Sequence, residues 1–265
     1  MIDKVEKGFQ VDSATLDFLV YTLFGKSYRE ILEMADEGMD GVLDLCAQRA
    51  YRDLSRTLRF YSADSKDGGK EVETKKRELL KKVREAVVGG SNALLRAESQ
   101  DEFDCLHEKL CGGEVSANSC QSITVTARET PGSDVLKPVG KEGKIFYSGQ
   151  AQKWLNMTLK YFWILGFPQF EDGPCNVKGY LHAPIDGFVL AALKRDEALS
   201  ALMQAGDLGN GIDANKVHEC VRVPWSHWSY ENYKTIQMVV RSLSESSSRC
   251  PIEWEMGAWL TAVKR

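Results

Sequence analysis

The sequence lacks any long apolar run. No stretch approaches the roughly 20 consecutive apolar residues that a transmembrane helix needs. The N-terminal segment MIDKVEKGFQVDS is mixed in polarity and contains no apolar core of signal-peptide length. These absences predict a soluble cytoplasmic protein that does not enter membranes.

Paired cysteines are missing as well. The seven cysteines, at positions 46, 105, 111, 120, 175, 220 and 250, form no Cys-x-x-Cys motif. An odd number of scattered cysteines is typical of reduced thiols in an intracellular protein. We therefore expect no structural zinc site and no metal ligands.

Several catalytic signatures are also missing. The chain contains no Gly-x-x-x-x-Gly-Lys-Ser/Thr phosphate loop and no Gly-x-Gly-x-x-Gly turn after a strand. It has no His-Glu-x-x-His helix and no Gly-x-Ser-x-Gly elbow, and its four histidines form no hydrolase signature. Nucleotide-dependent enzymes, zinc proteases and serine hydrolases thus find little support, and no cofactor is expected.

The chain has no overall excess of positive charge. Its net charge is −4 and its isoelectric point is near 5.7, which argues against a general nucleic-acid coat protein. Two segments are nevertheless locally basic: residues 66–84 carry eight Lys or Arg against four acids, and residues 141–163 carry four Lys against Glu142 alone. Either segment could contact phosphates. For residues 66–84, a solvated helix face explains the charges equally well.

Helical periodicity dominates what is present, and the 43% hydrophobic content of the 265 residues can supply a sizeable core. Asp12 or Ser13 caps the first helix and Gly25 ends it. Residues 62–73 are predicted to form a loop, and Gly89 and Gly90 to break the charged helix that follows. The predicted helices of this half cover residues 14–24, 28–37, 41–60, 74–88, 91–95 and 102–110.

The composition changes in the middle of the chain. Residues 111–144 are rich in Gly, Ser and Pro and contain one β-like run, SITVTAR at 122–128, which predicts a small irregular or β-hairpin insertion. Beyond it the predicted helices cover residues 150–165, 230–243 and 252–263, with Ser229 as a cap, and a helix that Asp186 opens, which residues 195–204 extend or follow. We therefore predict a mainly α protein with an N-terminal helical layer (1–110), a connector (111–144) and a second helical layer (145–265), packed as one globular unit.

Residues 148–190 hold the main candidates for chemistry. The predicted helix at 150–165 has a broad apolar stripe, and Lys153 lies in its first turn, where the helix dipole disfavours a cation. A loop rich in Gly, Pro and Asn follows. Asp186 is then well suited to cap a second helix, with Pro184 stiffening the preceding backbone.

This order of features resembles the helix-hairpin-helix DNA glycosylases. The shared features are a glycine turn at Gly149, a helix that carries Lys153 near its start, and a Pro-x-Asp at 184–186 that opens another helix. The 33 positions between Lys153 and Asp186 resemble the spacing in the archaeal 8-oxoguanine branch. The resemblance covers about a sixth of the chain, roughly residues 148–193, and this chain has one glycine where the family hairpin commonly has two. It also lacks the Cys-rich tail that holds an iron–sulfur cluster in some members.

In that family the lysine is the nucleophile of the bifunctional members, and the aspartate assists departure of the base. The resemblance therefore implies these catalytic roles for Lys153 and Asp186, a glycosylase-like fold for residues 145–265 and a cleft between the two layers. Such enzymes extrude the target base into a pocket with aromatic walls and polar groups that read its edge. The candidate substrate-binding residues are Gly149, Gln150, Gln152, Asn156, His182, Trp225 and Trp228.

Each assignment has a structural alternative. Lys153 could lay its stem along Trp154 with its ammonium in water, and Asp186 could be a cap alone. Trp225 and Trp228 could simply close a core.

The resulting hypothesis is a DNA glycosylase, with or without lyase activity, that excises a damaged or modified base. It would act as a cytoplasmic monomer that associates with the nucleoid when it binds DNA. Two alternatives remain: a non-catalytic helical nucleic-acid-binding module, and a helical protein-interaction module that binds no nucleic acid.

Overall fold

The structure of the protein is a computed structural model, which describes residues 12–58, 68–112, 121–130, 146–166, 177–197, 199–200 and 212–264. Within these ranges the chain contains no strand and is mainly helical, which confirms the predicted mainly α class. None of the helices described there is long and apolar enough to span a bilayer. The predicted helix at 195–204 falls mostly outside these ranges.

The helices follow one another in this order. They are α1 (Ser13–Phe24), α2 (Tyr28–Glu37), α3 (Met39–Leu54) with a 3-10 turn (Ser55–Thr57), α4 (Gly68–Leu94), α5 (Gln100–Cys111), α6 (Ile123–Glu129), α7 (Ser148–Ile164), α8 (Val177–Tyr180), α9 (Gly187–Leu193), α10 (Ala214–Arg222) with a 3-10 turn (Trp225–His227), α11 (Tyr230–Ser246) and α12 (Pro251–Val263).

The predicted helix ends are occupied by the capping residues that the sequence suggested. The Asp12 carboxylate accepts a hydrogen bond from the Thr15 N–H at 2.9 Å, and the Ser229 hydroxyl accepts from Asn232 N–H at 3.3 Å. Gly25 ends α1 in the left-handed region with φ 72°, where a glycine avoids the steric cost of a Cβ atom.

Helix α7 lies at the centre of the core. Every residue from 148 to 159 is buried, and the helix packs against α3, α4, α5, α11 and the turn Trp225–His227. Trp154 is 1% exposed, and its indole N–H donates to the Ala47 carbonyl of α3 at 2.9 Å. The apolar stripe thus holds α7 in place while its polar residues are carried into the interior.

The β-hairpin prediction for residues 111–144 is wrong where it can be checked, because residues 123–128 are helical in α6. Ser122 caps this helix through a hydrogen bond from the Val125 N–H at 3.3 Å. The Thr124 hydroxyl donates to the Cys111 carbonyl at 2.8 Å, and the Thr126 hydroxyl to the Ser122 carbonyl at 2.7 Å. These contacts and the burial of Ile123 override the β propensity of the Ile-Thr-Val-Thr run.

The predicted break at Gly89 and Gly90 is also wrong, because α4 runs through both glycines to Leu94. A Cβ atom built on Gly90 would lie 2.9 Å from a methyl carbon of Leu110, so Gly90 allows α4 and α5 to approach closely. Helix α4 also begins at Gly68, inside the predicted loop at 62–73.

The predicted division into two layers and a connector stays a prediction. Buried residues of both proposed layers belong to one apolar cluster, and the most extensive helix contact joins α3 of the first to α7 of the second. Residues 113–120 and 131–145, which make up most of the connector, lie outside the described ranges.

Replacing Gly89 with Ala tests the continuity of α4. No atom lies within 4 Å of a Cβ atom built there, so the methyl group meets no obstacle and adds helix propensity. We expect Gly89→Ala to raise the free energy of unfolding by about 0.5–1 kcal/mol. Urea unfolding followed by circular dichroism measures this change.

Gly25→Ala is the matched control, because Gly25 is equally unobstructed but has φ +72°. It should destabilise the protein by about 1 kcal/mol. Destabilisation by Gly89→Ala would show that the helix does break at that position.

Candidate functional site

A cleft of about 690 Å³ lies between α7, α9, α12, the end of α3 and the turn Trp225–His227. Its volume is in the range of pockets that hold small molecules or single bases. The charged residues that line it are Arg49, Arg56, Lys153, Lys160 and Arg195 as cations and Asp53, Asp186 and Glu255 as anions. Its aromatic lining consists of Tyr161, Phe188, Trp225 and Trp259.

Lys153 and Asp186 meet in this cleft. The ammonium of Lys153 donates to Oδ2 of Asp186 at 2.9 Å, and the two side chains are 6% and 15% exposed. Oδ1 of Asp186 accepts from the backbone N–H groups of Phe188 at 2.9 Å and Val189 at 3.0 Å. Asp186 therefore caps α9 with one oxygen and holds the lysine with the other.

A second ion pair lies beside the first. The ammonium of Lys160, two turns along α7, contacts Oε2 of Glu255 at 2.5 Å, and Glu255 on α12 is 1% exposed. Burial raises the pKa of Glu255, while the charges of Lys160 and Lys153 oppose this shift and that of Asp186 adds to it. The two pairs thus form one coupled group of four charges within the cleft.

Aromatic side chains form the walls of the cleft. The rings of Phe188 and Trp259 meet edge to face with centroids 5.8 Å apart, and Phe188 is 43% exposed. The Tyr161 hydroxyl donates to Asp53 at 2.6 Å. Burial and this carboxylate raise the pKa of Tyr161, so the phenol stays protonated. Arg49 lies over its ring, 5.2 Å from the centroid.

Gly149 positions the turn that carries Trp225. A Cβ atom on Gly149 would lie 1.8 Å from the Trp225 carbonyl oxygen, and the Gly149 N–H donates to the Trp228 carbonyl at 3.2 Å. Gly149 lies within α7, which begins at Ser148 rather than after the predicted Ser-Gly turn. Its N–H is already used by the protein, so it serves as a packing contact and not as a phosphate donor.

The three amide side chains predicted to read a base edge are buried and bonded to the protein. Gln150 accepts from the Tyr147 N–H at 3.1 Å and donates to the Thr57 carbonyl at 2.9 Å. Gln152 donates to the Gly149 carbonyl at 2.9 Å and the Ile185 carbonyl at 3.1 Å. None of the amides lines the cleft.

Asn156 belongs to a separate buried polar cluster with His182. The Asn156 amide donates to the Tyr233 hydroxyl at 2.8 Å, and that hydroxyl contacts Nδ1 of His182 at 2.7 Å. Nε2 of His182 contacts Oδ1 of Asp104 at 2.7 Å, and Oδ1 of Asn156 contacts Nε2 of His107 at 2.9 Å. His182 therefore faces this cluster rather than the cleft.

Both buried histidines are held neutral. Burial lowers the pKa of His107 well below its usual value, and repulsion by His182 adds to this. Burial also lowers the pKa of His182, although its hydrogen bond to Asp104 opposes the shift. For Asp104, burial acts upward, but paired hydrogen bonds from Arg241 at 2.7 and 2.8 Å and the bond with His182 lower its pKa.

Of the two tryptophans predicted to stack on a base, the cleft contains only Trp225. Trp228 is fully buried, and its indole N–H donates to the carbonyls of Cys220 at 3.0 Å and Val223 at 3.1 Å. The structure thus brings Lys153, Asp186 and Trp225 together and gives the other predicted binding residues packing or hydrogen-bonding roles.

Several cleft residues were not among those predicted from the sequence. Lys160 had a usable signal, since it lies at i+7 from Lys153 on the same face of a helix. Phe188 lies two positions after the capping Asp186, so a helix that begins at the cap places both residues at the same edge of the cleft. Glu255 and Trp259 come from α12, more than sixty positions further along the chain, and no local pattern links them to Asp186.

Comparison with protein-family models, curated proteins and solved structures finds no match to the chain. Within the described ranges, no group of three or more His, Cys, Asp and Glu side chains could hold a metal ion.

Gly149→Ala tests the close approach of α7 to the turn Trp225–His227. Because the new methyl group would overlap backbone atoms, the turn has to move away from α7. We expect a loss of about 1–3 kcal/mol in the free energy of unfolding and a changed tryptophan fluorescence spectrum. Gly187→Ala is the control, since no atom lies within 4 Å of its Cβ position. Equal stability of the two variants would contradict the packing role.

The neutral histidines predict a pH dependence of stability. Their folded-state pKa values lie below the ordinary value of 6.5, so the unfolded chain binds protons that the folded protein does not. The free energy of unfolding should therefore fall as the pH drops through about 6.5, by up to about 1.4 kcal/mol per pH unit for each histidine. The lowered pKa of Asp104 also stabilises the folded protein, and this stabilisation is lost separately, as the pH falls below the ordinary aspartate pKa of 3.8.

Urea unfolding between pH 7.5 and 5 measures this slope. His107→Gln should flatten it, whereas His218→Gln, at an exposed position of α10, should leave it unchanged. A stability that does not vary over this range would contradict the burial of neutral histidines.

Proposed function

We propose that the protein is a DNA N-glycosylase with lyase activity that excises a damaged or modified base. The observation that carries the proposal is the contact at 2.9 Å between the buried ammonium of Lys153 and Asp186, in a cleft with aromatic walls. A nucleophile held by a second group is the arrangement that covalent catalysis requires. The resemblance around residues 148–193 assigns the same roles to the same pair.

The proposed reaction begins with the extruded nucleotide in the cleft. Asp186 Oδ2 accepts a proton from Lys153, and the free amine attacks C1′ of the sugar. The new N–C1′ bond forms as the glycosidic bond breaks, and the base leaves with that electron pair and takes the proton from Asp186, which becomes a carboxylate again. One proton then moves from the new C1′ nitrogen to O4′ as the C1′–O4′ bond breaks, which gives a protonated Schiff base. Loss of a C2′ proton to water expels the 3′ phosphate and breaks the strand.

Asp186 can act at two points of this sequence. Before attack it holds the amine in place, and its own position is fixed by the backbone N–H groups at the start of α9. As the glycosidic bond breaks, positive charge develops on the sugar, and a nearby carboxylate stabilises it. Preorganisation by the cap means that the carboxylate does not have to reorient during the reaction.

The lining of the cleft suits a base and its sugar. Trp225, Phe188 and Trp259 offer ring surfaces, and stacking on aromatic side chains is a common way of holding an unpaired base. Tyr161 and the Lys160–Glu255 pair supply donors and acceptors for the base edge. The partner is then DNA that contains a modified base, bound by a monomer in the cytoplasm or on the nucleoid.

Borohydride trapping tests the nucleophile. Wild-type protein should form a covalent adduct with labelled duplexes from a panel of oxidised, deaminated, alkylated and hypermodified bases, because borohydride reduces the Schiff base. Lys153→Gln should form none while keeping nearly unchanged affinity for the same duplex. Lys82→Gln is the control, since it removes one lysine from an exposed position of α4 outside the cleft, and it should still form the adduct.

Asp186→Asn separates the catalytic role from the cap. Asparagine caps helices about as well as aspartate, so base release should slow while α9 stays formed. Asp186→Ala should lose about 1 kcal/mol more stability than Asp186→Asn, since it also removes the cap, whereas both variants leave the buried Lys153 without its carboxylate. Trapping by Lys153→Gln would dismiss the lysine, and DNA binding by wild type with no base release or adduct on any substrate would favour a binding module.

A further inference from the structure

The charges of α4 are largely compensated within the protein. Lys75 pairs with Glu71, Lys76 with Glu73, Lys81 and Lys82 with Glu85, and Arg84 with Asp44 of α3. Most of these are pairs at i+3 or i+4 spacing on an exposed helix face. The segment at 66–84, one of the two basic stretches of the sequence, is therefore a weaker phosphate-binding surface than its composition suggests.

Two arginines near the cleft differ from the paired cations of α4, because their guanidinium groups have no partner among the described residues. Arg195, just after α9, and Arg249, just before α12, both line a recess of about 230 Å³. Within the described residues, no side chain forms an ion pair or hydrogen bond with either guanidinium group. Their charges are thus available to a ligand.

Small residues line the recess, so a ligand can approach its backbone closely. Its floor is formed by small residues of α12, including Gly257 and Ala258. The guanidinium of Arg249 passes over Gly257, where a Cβ atom would lie 3.4 Å from Nη1. The one acid in the recess, Asp196, is occupied by the Leu199 N–H at 2.9 Å.

The recess adjoins the cleft. Arg195 and Ala262 line both, so the two cavities are neighbours on the surface formed by α9 and α12. A nucleotide in the cleft carries a phosphodiester on each side of its sugar. These two groups link it to the neighbouring nucleotides of the strand. The recess is therefore the neighbouring cavity for the backbone on one side of that nucleotide.

We propose that Arg195 and Arg249 form a phosphate-binding recess that holds the DNA backbone next to the nucleotide in the cleft. Guanidinium groups suit this ligand because their planar N–H donors match phosphate oxygens in pairs. The small floor residues let the phosphate approach without steric conflict. This inference rests on the proposed function, since it takes a DNA strand as the occupant of the cleft.

The test is fluorescence anisotropy with a labelled duplex that carries a tetrahydrofuran abasic site. It compares Arg195→Ala/Arg249→Ala with Lys81→Ala/Lys82→Ala, which removes the same charge from the exposed face of α4. The recess variant should bind on the order of tenfold more weakly, and the slope of log K against log salt should fall in magnitude by about 2. The α4 variant should bind like wild type. Thermal unfolding confirms that both variants are folded.

Several outcomes overturn the recess. Equal losses in both variants would show that only total charge matters, and an unchanged affinity and salt slope in the recess variant would dismiss it. Binding of inorganic phosphate that depends on the two arginines, with no change in DNA affinity, would assign the recess to a free anion instead. No binding of this duplex by wild type, even at low salt, would also overturn it.

Failure of the recess and failure of the proposed function are distinguishable. Adduct formation by wild type together with unchanged binding by the recess variant would remove the recess alone. Arginine-dependent binding without base release or adduct on any substrate would remove the glycosylase activity and keep the recess.

Discussion

The burial of polar side chains on α7 is the constraint on which the rest of the structure depends. Every residue from 148 to 159 is buried, and the polar ones among them are Ser148, Gln150, Gln152, Lys153, Asn156 and Thr158. A buried polar group without a partner costs about 1–3 kcal/mol. The surrounding elements therefore have to bring donors and acceptors to defined positions. Thr57, the neighbours Ile185 and Asp186, and Tyr233 do this from three separate parts of the chain.

Asp186 shows how one residue meets two such demands. Its Oδ1 is held by two backbone N–H groups, which leaves Oδ2 directed at Lys153. A cap is usually exposed and worth about 1 kcal/mol, but here it also compensates a buried cation. Removing a partner from a buried ion pair leaves an uncompensated charge and is more costly than losing a surface pair. Stability and the proposed chemistry consequently depend on the same carboxylate.

The sequence predicts the helical class, most helix ends and the Lys153–Asp186 pair, because these follow from local periodicity, capping and one motif. Prediction from the sequence fails where tertiary contacts determine the local structure. Residues 122–128 have β-like side chains but become helical once Ser122 caps them and Thr124 bonds to α5. Gly90 resembles a helix break but is needed for contact with Leu110. Likewise, Trp225 and Trp228 lie three positions apart, and only the fold directs one to the cleft and the other to the core.

Two polar side chains of α7, Asn156 and Lys153, differ in how many of their hydrogen-bonding groups are used within the protein. This difference bears on where chemistry can occur. Asn156 uses its carbonyl on His107 and its amide on Tyr233, with further contacts to Gln152 and Ala183, so it is committed to the fold. An ammonium has three donors. Among the described residues, Lys153 uses one of them, on Asp186. Because an unused donor is costly in a closed core but not in a cleft that admits water or a ligand, the Lys153 face is where a bound molecule would gain most from α7.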